Sequence, residues 1–325
     1  MRFYSIIIPV YNRPDEVEEL LQSLAVQTKK DFEIIIVEDG STDQCEHVVD
    51  QYKNQLDIRY FFKENEGQGF SRNYGFDRAR GDYLIVFDSD CLIPADYLQI
   101  VDDSLNKEPL DAFGGPDRAD ESFTLVQKAI NYSMTSLFTT GGIRGRKKHA
   151  GTFHPRSFNM GMSREVYEKT GGYIITRMGE DIEFSIRIIE NGFKVGLIDD
   201  AYVYHKRRTS LGQFYKQLHF FGRARVNVNR FHKGEIKLVH FFPIFFLAGW
   251  LVFLSSYFFN ETIFYLGLNS VAIYYGLIYL DSTYKNNNLL VGFLSLLTAT
   301  IQLGAYAIGM ISESLKRNPV QEIRK

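Results

Sequence analysis

Gly81-Asp-Tyr-Leu-Ile-Val-Phe-Asp-Ser-Asp90 joins a run of β-forming apolar residues, Tyr83 to Phe87, to two carboxylates. An unbroken apolar run of this length, bounded by Gly81-Asp82, predicts a strand buried on both faces. Residues two apart at a strand end project to the same side, so Asp88 and Asp90 share a face. In an open parallel sheet, ligands bind beyond the carboxyl ends of the strands. Two hard oxygen donors there suit Mg2+ or Mn2+ bridging a diphosphate. Asp-x-Asp alone is common in loops; its place behind an apolar strand is what gives it weight.

The first 110 residues repeat a strand–helix alternation. Ser5-Ile6-Ile7-Ile8, Glu33 to Val37 and Ile58 to Phe62 predict three more strands. Pro14 suits the first turn of a helix, with Asp15 and Glu16 on its positive end. Val17, Leu20, Leu21 and Leu24 then give that helix one apolar face. Ser41-Thr42-Asp43-Gln44 reads as a capping box for a helix carrying Cys45, Val48, Val49 and Tyr52, and a further helix is expected over Ser71 to Ala79. Alternation of this kind predicts βαβ units, a parallel sheet and an α/β fold. From 110 to 238 the spacing predicts helices at 122–138, 163–170, 180–191 and 210–232, with strands near 194–198 and 201–204.

His240–Phe259, Thr262–Leu280 and Leu289–Ile311 are blocks of 20, 19 and 23 residues without Asp, Glu, Lys or Arg. At about 1.5 Å per residue each is long enough for a hydrocarbon core of about 30 Å. Buried helices of a soluble core are the alternative, but these blocks lack polar faces. Residues 206–238 carry nine Lys and Arg against the one acid Glu235. By the positive-inside tendency the N-terminal domain is expected in the cytoplasm, on a multi-pass protein of the cytoplasmic membrane. Three spans would put Lys316, Arg317, Arg324 and Lys325 outside, against the same tendency. The span count therefore stays open, with one block re-entrant or interfacial.

The 325 residues hold 37 Lys+Arg and 39 Asp+Glu, a formal net charge of −2. No whole-protein basic field exists, which argues against nucleic acid as a partner. Cys45 and Cys91 are the only cysteines, which excludes a disulfide framework or a Cys-based zinc site. The N-terminal apolar run, Phe3 to Val10, is short and contains Pro9, unlike a signal peptide. No Gly-x-Gly-x-x-Gly follows the first strand, so a dinucleotide cofactor is unsupported. Glu38-Asp39 ends the second strand and precedes Gly40; a carboxylate there can accept hydrogen bonds from a base N–H or ribose hydroxyls, or merely close a strand-to-helix turn.

Ser5-Ile-Ile-Ile-Pro-Val-Tyr-Asn12, Val37-Glu-Asp-Gly-Ser-Thr-Asp43, Asn65-Glu-Gly-Gln-Gly-Phe-Ser-Arg-Asn-Tyr-Gly75 and Gly81 to Asp90 resemble, in this order, the signatures of family 2 glycosyltransferases. The likeness extends loosely to about residue 235. It implies a GT-A fold, a nucleotide-diphospho-sugar donor, a divalent metal (Mg2+ or Mn2+) and inverting transfer. By the resemblance, Pro9, Tyr11 and Asp39 line the base pocket, Arg72 and Asn73 lie near ribose and diphosphate, and Asp88 and Asp90 hold the metal; Glu38, beside Asp39, is a further donor-side candidate. Glu38 and Cys91 depart from the commoner acids at those positions. Gly179-Glu180-Asp181 resembles the family's Glu-Asp pair, which makes Asp181 the expected base and Glu180 its orienting partner. An inverting transfer needs such a carboxylate to take the acceptor proton. The bland alternative is that both acids simply favour a helix N-terminus.

His205 is a candidate third metal ligand or a solvated histidine. Arg223, with Arg225, is a candidate for the diphosphate or for anionic membrane lipids. Arg144, Arg146, Lys147 and Lys148 are a candidate lid or lipid-phosphate contact, or a solvated loop. His154, Asn159 and Met160 fall where the family meets its acceptor. The expected organisation is a GT-A domain over 1–235 (nucleotide half 1–110, acceptor and catalytic half 111–235), a transmembrane region of about three helices over 239–311 and a basic tail over 312–325. The expected partners are a UDP-sugar and a glycan or lipid-linked acceptor. The absent Gln-x-x-Arg-Trp motif argues against long-chain polymerisation. Two other readings are a catalytically silent membrane scaffold and a sugar-phosphate nucleotidylyltransferase; the second needs a Gly-rich loop where Pro9 to Pro14 stands.

Overall fold

In this computed structural model, which describes residues 2–118, 123–141, 153–206 and 208–316, the chain runs β1 (Tyr4–Val10), α1 (Pro14–Ala25), β2 (Phe32–Asp39), α2 (Glu46–Tyr52), β3 (Ile58–Lys63), α3 (Gln68–Phe76), β4 (Tyr83–Phe87), β5 (Cys91–Leu92), α4 (Tyr97–Lys107), β6 (Ala112–Gly114) and β7 (Asp117–Arg118). It continues through α5 (Leu125–Thr135), α6 (Leu137–Thr140), β8 (Asn159–Ser163), α7 (Arg164–Thr170), α8 (Glu180–Glu190), β9 (Val195–Leu197), β10 (Val203–His205), α9 (Leu211–Phe231), α10 (Phe242–Ser256), α11 (Glu261–Asn286) and α12 (Leu289–Ser314). These residues form two compact units, 2–118 with 153–206, and 123–141 with 208–316.

In the first unit β1 pairs in parallel with β2 and β4, and β2 with β3. Ile6, Ile8 and Val10 turn to one face, under Leu20, Leu21 and Leu24 of α1, Val48 and Val49 of α2, and Leu98 and Val101 of α4. Ile7, Leu84 and Val86 turn to the other, under Phe76 of α3, Val166 of α7 and Phe184 of α8. With both faces covered, each fully buried aliphatic side chain contributes about 1.5–3 kcal/mol, and the strands show no polar alternation.

The sheet is mixed, not wholly parallel. Its order is β3-β2-β1-β4-β8-β6-β9, with β8 antiparallel to both β4 and β6. Asn159-Met-Gly-Met-Ser163 carries no β-branched residue. Gly161 is required there because a Cβ would stand 2.1 Å from the Phe113 ring. A small second sheet, β5-β10-β7, places His205 as the last residue of β10 beside Cys91. Three local expectations also shift. Cys45 stands at the α2 N-cap without a side-chain capping hydrogen bond, so Ser41 is not its cap. α3 begins three residues before Ser71. The helix expected at 122–138 breaks at Ser136, whose ψ of 145° is extended; its hydroxyl starts α6 by accepting from Phe138 N–H.

The second unit is helical. α9 runs against α12 at glycines: a Cβ on Gly222 would lie 2.0 Å from the Tyr306 carbonyl, and one on Gly309 would lie 2.1 Å from that of His219. α5 joins the same helix through Ser133 and Thr298, 2.6 Å apart. The unit therefore takes in α5, α6 and α9 together with the apolar blocks, because α9 and α5 bury their small and apolar residues on α12. Leu238–Ser256, Glu261–Asn286 and Leu289–Ser314 are each long and apolar enough to cross a membrane. Gly309→Val, which forces a branched side chain into the backbone contact with α9, is expected to cost about 1–3 kcal/mol. A lowered thermal midpoint of the detergent-solubilised protein checks this.

Candidate active site

The carboxyl ends of β1, β2 and β4 carry the sequence motifs. Pro9 lies on β1 opposite Val37, and Tyr11 just beyond the strand is 52% exposed. Asn12 takes a left-handed φ of 53°. Its side-chain oxygen accepts from the Thr42 and Asp43 N–H groups, at 2.9 and 3.0 Å. The first two motifs are thus tied edge to edge.

Glu38 and Asp39 point to different tasks, as neighbours on a strand must. Glu38 is fully buried and accepts from the Ser41 hydroxyl, the Cys45 N–H (2.8 Å) and the Tyr60 hydroxyl (3.3 Å). It anchors the turn into α2. Asp39 accepts from the Glu66 and Gly67 N–H groups, at 3.0 and 2.8 Å, and pairs with Lys63 at 3.0 Å. It shapes the entry to α3. Gly40, at φ 75°, lets the backbone pass close to the next loop: a Cβ there would lie 2.7 Å from Asn65 N.

α3 delivers the centre of the site. Arg72 is 1% exposed, a severe penalty for a cation unless it is paired. One end of its guanidinium donates to Asp88 Oδ1 at 2.9 Å, and the other contacts Glu180 Oε1 at 3.3 Å. Its Cζ lies 5.3 Å from the centroid of the Tyr173 ring. Asn73 uses both ends of its amide on the Tyr173 backbone, donating to the carbonyl at 2.7 Å and accepting from the N–H at 2.8 Å. It fixes the segment leading to α8. That segment ends in Met178 and Gly179, both with positive φ (63° and 94°), which turn the chain abruptly into Glu180.

Glu180 also accepts from the Gln68 amide. Burial, and then the neighbouring charge of Asp181, raise its carboxyl above the ordinary range against the pull of Arg72 and Gln68. Asp181 is more open, its side chain 19% exposed. Its Oδ1 accepts from the Ile182 N–H at 2.8 Å, and its Oδ2 faces Arg156 Nε at 3.3 Å.

Asp90 is held from two sides, by Arg13 at 2.8 Å and by His205 Nε2 at 3.1 Å. Burial opposes its ionisation, but His205 and Arg13 outweigh it and hold the carboxyl well below the usual range. The His205 ring stacks on Phe158, with centroids 5.1 Å apart. Asp90 and His205, with Asp88 just beyond the end of β4, offer carboxylates and an imidazole, donor types that fit a divalent cation such as Mn2+. Asp90, His205 and Cys91 lie within 4.8 Å of one another. Burial and the nearby acids push the Cys91 thiol far above its ordinary range.

Among the sequence candidates, Pro9, Tyr11, Asp39, Arg72, Asn73, Asp88, Asp90, Glu180, Asp181 and His205 all belong to the first unit. Arg223 belongs to the second, where it pairs with Glu313 at 2.9 Å. Asn159 and Met160 are core residues: Asn159 accepts from the Tyr97 hydroxyl and donates to the Ala201 carbonyl at 2.8 Å. His154 is half-buried. The run Arg144 to Lys148 lies outside the described residues. Arg13, Gln68, Arg156 and Tyr173 went unpredicted; of these only Gln68 sits inside a quoted motif, and Arg13 directly follows one.

Residues 5–171 match the domain described as Glycosyl transferase family 2. An uncharacterized glycosyltransferase of Rickettsia felis is 45% identical over 96 residues, 30% of this chain and 16% of that protein. The poly(ribitol-phosphate) beta-N-acetylglucosaminyltransferase TarS of Staphylococcus aureus is 34% identical over 137 residues, 40% of this chain and 22% of TarS. The match thus spans only a minor part of these relatives. Among solved structures, the mannosyltransferase PcManGT from Pyrobaculum calidifontis, in complex with GDP-Man and Mn2+, superposes with a TM-score of 0.61 at 17% identity, over 98% of this chain and 88% of that one. That likeness is one of fold, and the fold is GT-A.

Proposed function

The chain belongs to glycosyl transferase family 2, and from that premise we propose that it moves a sugar, with inversion, from a nucleotide-diphospho-sugar to an acceptor hydroxyl at the cytoplasmic face of a membrane. The observation that carries this reading is Arg72, which joins Asp88 on the donor side to Glu180 on the catalytic side through one buried guanidinium. Donor and acceptor chemistry are thereby held in one rigid frame, as a single displacement requires.

Tyr11 and Pro9 offer a surface for the base, and Asp39 with its loop offers hydrogen-bonding groups for base and ribose. Asp181 takes the proton of the acceptor hydroxyl as that oxygen attacks the anomeric carbon. Its own oxygens are oriented by the Ile182 N–H and Arg156. Glu180, locked by Arg72 and Gln68, sets the start of α8 on which Asp181 stands. A divalent ion held by Asp88, Asp90 and His205 would neutralise the departing nucleoside diphosphate. Kinship with TarS supports a UDP-sugar of the N-acetylhexosamine type; the GT-A neighbour with GDP-Man keeps guanosine donors in the comparison. The apolar helices support a lipid-linked or cell-envelope glycan acceptor.

Calorimetry of UDP and GDP with the detergent-purified protein tests this, first with Mn2+ and then with EDTA. Binding of one nucleotide is expected, weakened at least about tenfold by EDTA and lost in Asp88→Ala/Asp90→Ala. If neither nucleotide binds in any condition, the donor site is absent and the chain is a membrane scaffold on the same fold.

A further inference from the structure

The end of α12 is fastened to the segment that precedes α10. Glu313, 2% exposed in the last turn of α12, is gripped by Arg230 at 2.8 Å, by Arg223 at 2.9 Å and by Lys316 at 2.9 Å. Arg230 also donates to the Glu313 carbonyl at 3.0 Å. The chain then folds back: Asn229 accepts from the Gly234 and Ile236 N–H groups, at 3.1 and 3.2 Å, which holds the segment leading into α10 at the end of α9. If α10, α11 and α12 each crossed a membrane, the start of the first and the end of the third would lie on opposite faces, about 30 Å apart. An ion cluster cannot bridge that distance.

The rest of the helical unit agrees. α10 and α11 form an antiparallel hairpin, with Phe246 against Tyr274 and Phe253 against Phe264. Tyr257, Phe258 and Phe259 at its tip are 65%, 76% and 85% exposed, an aromatic cap suited to a membrane–water boundary. Of the apolar windows in α10 and α11, 0% and 6% is buried by protein, against 39% for α12. α12 starts beside α11, with Ser295 against Ser282 and Thr300 against Tyr275, then passes Leu247 of α10 at Gly304. It finishes on α9 at Gly222 and Arg223. Both of its ends therefore stand at the open end of the hairpin, away from the tip.

Letting α9 cross alongside α12 would restore three spans plus one. It would also drag Lys216, Arg223, Arg225 and Arg230 through hydrocarbon, at about 2.5–3.5 kcal/mol for each charge near the centre.

We propose that α10 and α11 alone cross the bilayer, and that α12 lies with α5 and α9 as a protein-sheltered layer on the catalytic side, returning Lys316 to that side. This rests on the membrane placement proposed above. It also removes the conflict in the positive-inside reading, since Lys316 rejoins the basic segment before α10.

Single cysteines at Glu64 in the first unit, Glu261 at the hairpin tip and Leu315 after α12, all exposed positions, test it in the full chain. Native Cys45 and Cys91 are buried, so the wild type is the blank. Sealed inside-out vesicles are treated with a membrane-impermeant maleimide before and after detergent. Glu64→Cys and Leu315→Cys are expected to react at once, and Glu261→Cys only after detergent. Three crossings would instead protect Leu315→Cys together with Glu261→Cys, which overturns the proposal. If all three react without detergent, no helix crosses and the membrane placement itself fails.

Discussion

Asp181→Asn is expected to lower sugar transfer about 10²–10⁴-fold while leaving nucleotide binding within about twofold of wild type. The substitution keeps the shape of the side chain and an oxygen for the Ile182 N–H. It removes the proton acceptor and the charge that faces Arg156. Because the donor-side carboxylates Asp88 and Asp90 are untouched, calorimetric binding and transfer should separate cleanly. A scaffold would show no transfer in either protein. An enzyme whose Asp181→Asn variant turns over at the wild-type rate would place the base elsewhere, and Glu180, buried and locked to Arg72, is too constrained to replace it easily.

Much of the sheet edge could be read in advance because its physics is local. Ser5 to Ile8, Glu33 to Val37 and Tyr83 to Phe87 are runs whose burial on both faces leaves no polar alternation, so the strands and the carboxylates closing them announce themselves. β8 gives no such signal. Asn159-Met-Gly-Met-Ser163 is built around a ring 46 residues earlier in the chain, Phe113, and the need for Gly161 exists only once that ring is in place. The same holds for Glu38 and Asp39. As adjacent acids they look equivalent, yet strand alternation sends one into the core at Cys45 and the other towards the α3 loop. Ser41 looked like a helix cap because its spacing was right, but Glu38 claims its hydroxyl. Arg156 and Tyr173 are reached through long-range turns, and nothing in their neighbours marks them.

The helical unit shows how little composition alone says about topology. Three uncharged blocks suggest three spans, but hydropathy does not register what packs on a helix. Gly222 and Gly309 let α9 press against α12, and Glu313 fixes the two ends together. On the proposed topology α12, with 39% of its apolar window buried by protein, is set apart from α10 and α11 by its packing on α9 and by its flanking charges rather than by its hydropathy.

Arg72→Met should be the most damaging single change to the folded site. It deletes a cation buried between Asp88 and Glu180, leaving Glu180, itself 5% exposed, with the Gln68 amide and a backbone N–H against the adjacent charge of Asp181. Removing one partner of a buried pair typically destabilises by about 3–5 kcal/mol, because the remaining charge is left without compensation. Arg72→Lys should be damaging too, since a single ammonium cannot reach both carboxylates as the planar fork does. The double variant Arg72→Met/Glu180→Gln separates stability from catalysis. Neutralising Glu180 relieves the uncompensated charge, so the thermal midpoint should recover part of its loss relative to Arg72→Met alone. Transfer should not recover, because the link that sets Asp181 against the donor is gone. If Arg72→Met keeps both its midpoint and its rate, the guanidinium bridge does not organise the site, and the coupling of donor and acceptor sides must be sought in the Tyr173 to Gly179 segment instead.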